Sequence, residues 1–231
     1  MVDKLMSRDS NVNNHPIIFT IGHSNLNITQ FIQNLKNHQI TAVADVRSNP
    51  YSQYLPHFNR SFLQQSLKHA NIQYVFLGKE LGARPTQLSC YVGGKALYDR
   101  IAQTDLFQQG IDRLLKGTKK YRICLTCAEK DPITCHRTIL ICQVLKGYDL
   151  QIQHILESGE LESHENLEER LLYLQNLHPI DLQNRPQQLS LFASDRDSIA
   201  TLPRTRESCL QQAYRQQGEK IAYVEKPRGK T

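Results

Sequence analysis

Short apolar runs alternate with amphipathic segments along most of this chain. The amphipathic segments place apolar residues at helical spacing, as in Phe31, Ile32 and Leu35. The apolar runs are typical of buried strands and occupy residues 17–21, 40–46, 72–77, 121–127 and 150–155. Because strand–helix–strand crossovers are right-handed and join parallel strands, this alternation predicts a three-layer α/β/α domain with a mainly parallel sheet over about residues 15 to 178.

Both ends of the chain depart from this pattern. Residues 1–14 are polar, and residues 179–231 are rich in Gln, Arg, Ser and Pro with few apolar residues. Segments of this composition bury too little apolar surface to fold on their own. We therefore expect a disordered N-terminus and a flexible polar C-terminal tail, which contains one apolar island at residues 188–192.

Composition narrows the class of protein. The hydrophobic share of 39% suffices for one core, and no apolar run reaches the roughly 18 residues that a membrane span needs. The start is too polar for a secretory signal, so we expect a cytoplasmic protein without a membrane partner. The net charge of +6 is compatible with a polyanionic partner. Six scattered cysteines favour reduced thiols over a disulfide scaffold.

Polar clusters follow four of the predicted strands. The carboxyl ends of parallel strands lie along one edge of the sheet, where ligands bind in α/β folds. We therefore expect the clusters to converge in one cleft and to form an acid–base site. The candidate residues are His23, Ser24, Asp45, Arg47, Glu80, Arg84, Cys127, Glu129, Cys135, His136 and Arg137. The alternative is that Asp45 with Arg47, or Glu80 with Arg84, form structural ion pairs.

The densest cluster is the segment 127–137, Cys-Ala-Glu-Lys-Asp-Pro-Ile-Thr-Cys-His-Arg. Glu129 directly follows a strand and is well placed to act as nucleophile or general base. Cys135 lies near a predicted helix start, a setting that lowers a thiol pKa. We expect catalytic residues among Glu129, Asp45, Glu80, Cys135 and His23. We expect phosphate or substrate binding by Ser24, Arg47, Arg84, His136 and Arg137.

Other interpretations of the segment 127–137 stay open. Glu129 is as well placed to pair with Arg137. Cys127, Cys135 and His136 offer a metal site, but their spacing is less regular than that of a zinc ribbon, and we expect neither a metal nor another cofactor. Glycine motifs for ATP or nicotinamide are lacking in the sequence. Cys124 and Cys127 form a Cys-x-x-Cys pattern, but on a strand the two side chains point to opposite faces.

Four sequence blocks resemble the signature of an uncharacterised family, domain of unknown function 488. They are Thr-Ile-Gly-His-Ser at 20–24, Asp-Val-Arg-Ser-Asn-Pro at 45–50, Leu-Gly-Lys-Glu-Leu-Gly-Ala-Arg at 77–84, and the segment 127–137. The resemblance covers about residues 17 to 155. It implies a compact α/β fold and groups these blocks together, but it brings no established reaction.

The tail has a second resemblance. Gln188-Leu-Ser-Leu-Phe192 is similar to the pentapeptide with which bacterial polymerases and repair proteins bind the sliding clamp. The resemblance implies partner binding by Gln188, Leu189, Leu191 and Phe192, in a segment that orders when it binds. The alternative is a short apolar anchor that folds back on the domain.

Together these features favour a DNA-maintenance enzyme that acts hydrolytically or glycosidically on DNA or a nucleotide and is recruited through the tail. Two alternatives remain open at this stage. One is a non-catalytic nucleic-acid-binding adaptor, which steep salt dependence of DNA binding would indicate. The other is a thiol or metal protein built on Cys127, Cys135 and His136.

Overall fold

The fold is built on a six-stranded sheet. Our computed structural model describes residues 15–179 and 205–225. The strands of the sheet are β1 (Ile17–Gly22), β2 (Ala42–Asp45), β3 (Gln73–Phe76), β6 (Ile123–Cys127), β7 (Gln151–Ile155) and β8 (Leu161–Ser163), and β4 (Tyr91–Val92) and β5 (Lys95–Ala96) form a separate hairpin. The order is β3-β2-β6-β1-β7-β8, with only β8 antiparallel to its neighbour in this sheet. The predicted α/β class with a mainly parallel sheet is confirmed.

Helices cover both faces of the sheet. They are α1 (Ile28–Asn37), α2 (Arg60–His69), α3 (Gly78–Leu81), α4 (Tyr98–Ala102), α5 (Asp105–Thr118), α6 (Gln143–Leu145), α7 (His164–Leu174) and α8 (Arg206–Ile221). Phe31 of α1 and Leu63 of α2 share one apolar core with Cys124, whereas Ile111 of α5 and Cys127 belong to the core on the other face. The side chains of Cys124 and Cys127 therefore point to opposite faces, as strand geometry requires.

The apolar periodicity of residues 96–116 predicts one helix there, and this prediction is wrong about its continuity. The structure has α4 and α5 in its place, separated at Gln103 and Thr104. Thr104 takes up an extended conformation, and its hydroxyl accepts a hydrogen bond from the Phe107 amide at 3.2 Å. A threonine N-cap of this kind starts a new helix, which is why the periodicity continues although the helix does not.

The spacing of Ile139, Leu140 and Val144 predicts a regular helix over 133–145, and the structure differs there too. Pro132–Thr134 form a short 3₁₀ turn, Arg137–Cys142 form a π-helix, and α6 follows directly. Every residue of the π-helix is buried. π-Helical segments are rare and occur mostly at functional sites, so this one draws attention to the residues at its start.

Part of the expected tail is an ordered helix. Within 179–231, residues Arg206–Ile221 form α8, which corrects the expectation of a solvated tail for these residues. Its buried residues are Cys209, Leu210, Ala213, Tyr214, Gln217 and Gly218. They recur at helical spacing, and several of them pack against α7 and the π-helix. The sequence did not predict this helix because the segment is polar on average and its apolar residues form only a narrow stripe.

The remaining predictions concern the chain ends, membrane spans and the cysteines. Residues 1–14 and the motif residues Gln188, Leu189, Leu191 and Phe192 lie outside the described residues. Within the described part of the chain, no helix combines the length and the apolar character that crossing a membrane requires. All six cysteines lie in the described ranges as free, buried thiols.

Candidate active site at the carboxyl edge of the sheet

Three adjacent strands bring their polar ends together. Gly22 at the end of β1 lies opposite Cys127 at the end of β6, and Asp45 at the end of β2 lies opposite Thr126. The chain after β1 stays paired with the chain after β6, since the amide of His23 donates to the carbonyl of Cys127 at 3.0 Å. The expected convergence of the β1, β2 and β6 clusters is thus present.

Four side chains at this edge form a compact group, which we call the thiol cluster: Cys127, Glu129, Cys135 and His136. The thiols of Cys127 and Cys135 lie 3.0 and 2.9 Å from the Oε2 atom of Glu129. The Nδ1 atom of His136 lies 3.6 and 4.0 Å from the same two sulfurs. One potential ligand atom from each of the four residues lies within 4.8 Å of every other.

Backbone contacts fix the orientation of the thiol cluster. The Nε2 atom of His136 lies 3.0 Å from the carbonyl of Val46, so this nitrogen carries the proton in the neutral ring and Nδ1 presents its lone pair to the sulfurs. The backbone amide of Arg137 points to the sulfur of Cys135 at 3.4 Å. A Cβ on Gly22 would lie 1.8 Å from the carbonyl oxygen of Glu129, so only glycine leaves room for this loop.

Arg137 lies beneath the cluster rather than at its surface. Its side chain is fully buried, and its guanidinium donates to the carbonyls of Glu129 at 2.8 Å and Lys130 at 3.2 Å. The guanidinium therefore holds the loop between β6 and the π-helix in place and supplies a positive charge beside the thiols. The structure gives this side chain a positioning role, and it does not expose it to a phosphate.

The surroundings shift the pKa values of the cluster in opposite directions. Burial opposes ionisation of Cys135, yet the hydrogen bond from Cys127 and the charge of Arg137 lower its pKa well below the usual value. Burial, followed by the interaction with Cys135, raises the pKa of Cys127 well above it. Glu129 is an exposed residue, but its carboxylate turns towards the thiols; loss of water and then the charge of Cys135 raise its pKa. The cluster therefore contains both a proton donor and an anion.

A second set of polar side chains lies beside the cluster and is called here the ion-paired group: His23, Asp45, Arg47 and Tyr74. Arg47 donates to Asp45 through Nε at 2.9 Å and Nη2 at 2.6 Å. The hydroxyl of Tyr74 donates to the same carboxylate at 2.9 Å. Nη1 of Arg47 lies 3.2 Å from Nε2 of His23. Asp45 is thus fully engaged in orienting Arg47, as the structural alternative had it.

His23 is held as a neutral ring. Its Nδ1 lies 3.4 Å from the carbonyl of Ser24, which leaves Nε2 as the acceptor from Arg47. Burial first, and then the charge of Arg47, lower the pKa of His23 to about 4. The ring also stacks on Phe58 with a centroid distance of 4.3 Å. A histidine in this setting accepts a hydrogen bond and stays uncharged at neutral pH.

A cleft of about 650 Å³ opens over the thiol cluster. This volume lies within the range of roughly 300–1,000 Å³ that is usual for small-molecule sites. Among the residues that line the cleft are Arg47, Arg84, Tyr98, Cys127, Glu129, His136 and Tyr223. Cys135 is 1% exposed and lies behind Cys127 and Glu129, so it acts on the cleft through them.

Not every predicted residue joins this cleft. Glu80 forms an ion pair with Arg113 of α5 instead of with Arg84. Ser24 lies with His23 in a neighbouring depression of about 470 Å³. Its φ of 35° is in the left-handed region, which is unusual for a serine and marks a tight turn after β1.

Tyr98 and Tyr223 line the cleft, but the sequence pattern does not predict them as site residues. Tyr98 begins α4, and burial, followed by the charges of Cys135 and Glu129, raises its pKa. Tyr223 follows α8, and its ring stacks against the guanidinium of Arg84 with 4.5 Å between the guanidinium carbon and the ring centroid. Neither has a polar motif around it. Tyr223 reaches the cleft only because α8 packs on the domain.

The family model described as Domain of unknown function DUF488 matches residues 27–144, which is just over half of the chain. The chain belongs to the DUF488 family. The matched residues include Asp45, Arg47 and the whole thiol cluster, while His23 and Ser24 of this DUF488 protein precede them. The comparisons with curated proteins and with solved structures each give no match.

Proposed function

We propose that this DUF488 protein is a hydrolase that cleaves a phosphoester or glycosidic bond in DNA or a nucleotide and serves DNA maintenance. The observation that supports it most directly is the carboxylate of Glu129. It faces the cleft, it has a raised pKa, and it contacts two thiols through one oxygen. A raised pKa makes a carboxylate a stronger base than a free one, which favours proton transfer from a bound water.

The proposed reaction adds one water molecule across the scissile bond. Glu129 takes a proton from the water, and the water oxygen forms the new bond to phosphorus or to the sugar carbon. The bond to the leaving group breaks with its electron pair on the leaving group. Glu129 then returns the proton to that group, so the enzyme ends in its starting state and no oxidant or reductant is needed.

Positive charge and aromatic rings around the cleft favour an anionic, base-containing substrate. Arg84 is exposed at the cleft, and Arg47 is directed towards it by Asp45. Guanidinium groups match phosphate oxygens in a bidentate manner. Tyr51 and Tyr98 also line the cleft, and rings of this kind stack on bases.

The C-terminal pentapeptide supplies the proposed link to DNA maintenance. Gln188, Leu189, Leu191 and Phe192 lie between α7 and α8 in the chain, outside the described residues. In this proposal they bind the bacterial sliding clamp, with the three apolar side chains in a groove and Gln188 hydrogen-bonded at its rim. Recruitment in this way would raise the local concentration of the enzyme at replicating DNA.

The first test is hydrolysis by the Glu129→Gln variant. Purified full-length protein is incubated with single-stranded DNA, duplex DNA and nucleotides, and release of bases and of phosphate is measured. Loss of a general base lowers the rate by about 100-fold or more. Glu165→Gln, which changes an exposed carboxylate in the first turn of α7, is the matched control and is expected to keep full activity. Equal rates in both variants contradict the assignment of Glu129.

Thiol chemistry is the second candidate, because the pKa of Cys135 is lowered by Cys127, Arg137 and His136 against the effect of burial. In that case a thiolate forms a bond to the phosphorus or the sugar carbon, and the leaving group departs with its electron pair and a proton from Glu129. Water then cleaves the bond to sulfur, which restores the thiolate and returns a proton to Glu129. Rapid inactivation by iodoacetamide, together with a covalent adduct located on Cys127 or Cys135 by mass spectrometry, would favour it over the water-based reaction.

A further inference from the structure

The thiol cluster has the donor set of a metal centre as well as the groups of an acid–base site. Cys127 ends β6, and Cys135 and His136 immediately precede the π-helix. Two sulfurs and one imidazole nitrogen thus lie close together between the end of β6 and the start of the π-helix. We infer that Cys127, Cys135 and His136 bind a zinc ion, with Glu129 facing the remaining coordination position. This inference deepens the proposed function and rests on it for its catalytic meaning.

The distances agree with a tetrahedral site. Zinc–sulfur bonds of about 2.3 Å and zinc–nitrogen bonds of about 2.0 Å put tetrahedral sulfur and nitrogen donors about 3.5–3.8 Å apart. The Nδ1 atom of His136 lies 3.6 Å from the sulfur of Cys127 and 4.0 Å from that of Cys135. Both sulfur–nitrogen distances therefore lie within about half an ångström of those expected around a bound zinc.

The groups around the donors are those that orient metal ligands. A ligating histidine normally donates its second ring nitrogen to a carbonyl or carboxylate, which fixes the tautomer. Here Nε2 of His136 has the carbonyl of Val46 at 3.0 Å. The amide of Arg137 points to the sulfur of Cys135, as amides do towards metal-bound thiolates. Backbone contacts therefore hold two of the three donors, Cys135 and His136, in a ligating orientation.

Charge balance favours a divalent cation at this place. Arg137 is fully buried, and its guanidinium is bonded to two carbonyls rather than to a carboxylate. When zinc binds, Cys127 releases its proton to solvent, and Cys127 and Cys135 both bind the metal as thiolates. Two thiolates and the Glu129 carboxylate then balance the zinc ion and the guanidinium, so the charges of the site sum to zero.

The donor type selects zinc among common cations. Thiolates and imidazole bind zinc strongly, whereas magnesium and calcium prefer oxygen ligands. Three protein ligands leave one position for water, which is the arrangement of catalytic zinc sites, and zinc lowers the pKa of such a water to about 7. Glu129 lies within reach of that position, so it can accept the proton that the water loses.

The test measures metal in the full-length protein without a histidine tag. After exhaustive dialysis, elemental analysis is expected to find about one zinc per chain in the wild type and in Cys209→Ala, a matched change of a buried cysteine on α8. Cys135→Ser is expected to bind zinc more than about 100-fold more weakly, since loss of an outer hydrogen bond alone costs 10–100-fold. Equal zinc contents in Cys135→Ser and Cys209→Ala overturn the site.

Cobalt titration of the metal-free wild type avoids dependence on variants that fold poorly. A thiolate-to-cobalt charge-transfer band that saturates at one equivalent supports the site, and absence of that band together with absence of zinc binding at millimolar zinc overturns it. Glu129→Gln is expected to keep its zinc and lose hydrolysis. Zinc binding in a wild type that hydrolyses none of the substrates contradicts the proposed function alone, whereas hydrolysis that is unchanged in metal-free protein contradicts the catalytic role of zinc and leaves the proposed function standing.

Discussion

The thiol cluster and the ion-paired group lie on the same edge of one sheet, yet they use their polar atoms in opposite ways. In the ion-paired group, Asp45 accepts from the backbone and side chain of Arg47 and from Tyr74, so its lone pairs are satisfied within the fold. In the thiol cluster, two sulfurs, a carboxylate oxygen and a ring nitrogen face one another within 4.8 Å. Acceptors outnumber the protons available to them.

This difference separates groups that position from groups that react. A satisfied carboxylate holds its partner rigidly but has little to offer a ligand. A set of acceptors aimed at a common point gains a great deal from a proton or a cation placed there. Of the two carboxylates, Asp45 therefore orients Arg47, and Glu129 is the candidate for chemistry. The predictions below test this division, beginning with the largest expected effect.

The largest loss of stability is expected from Arg47→Met. It leaves Asp45, which is 0% exposed, as a buried carboxylate whose main partner is missing. Stranding a buried charge costs about 3–5 kcal/mol of the free energy of unfolding. Urea denaturation followed by circular dichroism measures it. The double variant Arg47→Met/Asp45→Asn is expected to recover at least half of the loss, because the unpaired charge is then absent.

Replacing the carboxylate of the thiol cluster is expected to cost much less stability than Arg47→Met. Glu129→Gln removes a carboxylate that contacts thiols rather than a cation, so we expect the free energy of unfolding to change by no more than about 1 kcal/mol. A loss in Glu129→Gln as large as that in Arg47→Met would mean that Glu129 is structural too. The distinction between the two carboxylates would then disappear.

Gly22→Ala is expected to disturb the thiol cluster through the backbone. The new Cβ would lie 1.8 Å from the carbonyl of Glu129 and 3.2 Å from the guanidinium of Arg137, so the loop after β6 has to move. Forced shifts of this kind cost about 1–3 kcal/mol, and displacement of Glu129 should also lower hydrolysis. Gly147→Ala, whose Cβ meets nothing closer than 3.4 Å, is expected to stay near wild type in both measurements.

Much of the fold follows from the pattern of apolar positions. The five parallel strands are short and, apart from the edge strand β3, mostly buried, and their alternation with amphipathic helices leaves few arrangements open. Features that depend on distant contacts were not predictable. The π-helix requires the buried side chain of Arg137 to reach back to Glu129 and Lys130, and α8 requires a docking surface on α7. Neither requirement is visible in local composition.

The candidate site, like the fold, could be predicted from the sequence only in part. The strand-end rule brought Asp45, Arg47, Cys127 and Glu129 to one edge, because it depends only on parallel topology. It also pointed to Glu80, whose helical position turns its carboxylate to Arg113 of α5. Which member of a polar cluster is satisfied and which is free depends on distances of a few tenths of an ångström, and spacing along the chain does not determine these.

The sharpest test of the ion-paired group is the pH dependence of stability that His23 contributes. The pKa of His23 in the folded protein is about 4, against 6.5 for a histidine in water, so the unfolded chain binds more protons between these values. Stability therefore rises with pH in this window: the contribution is complete above about pH 6.5 and is lost as the pH falls towards 4. At pH 5 the expected loss is about 2 kcal/mol.

Comparison with His23→Gln isolates this contribution. The pKa values of His154 and His164 are also lowered, mainly by burial, so the wild-type slope contains their effects as well. Glutamine can accept from Nη1 of Arg47 without titrating, and the variant should therefore lose less stability than the wild type between pH 7 and pH 5. Parallel curves for the two proteins would mean that Arg47 and its burial do not keep His23 neutral. His23 would then take up a proton in the folded protein, and the ion-paired group would not be a purely structural arrangement around Arg47.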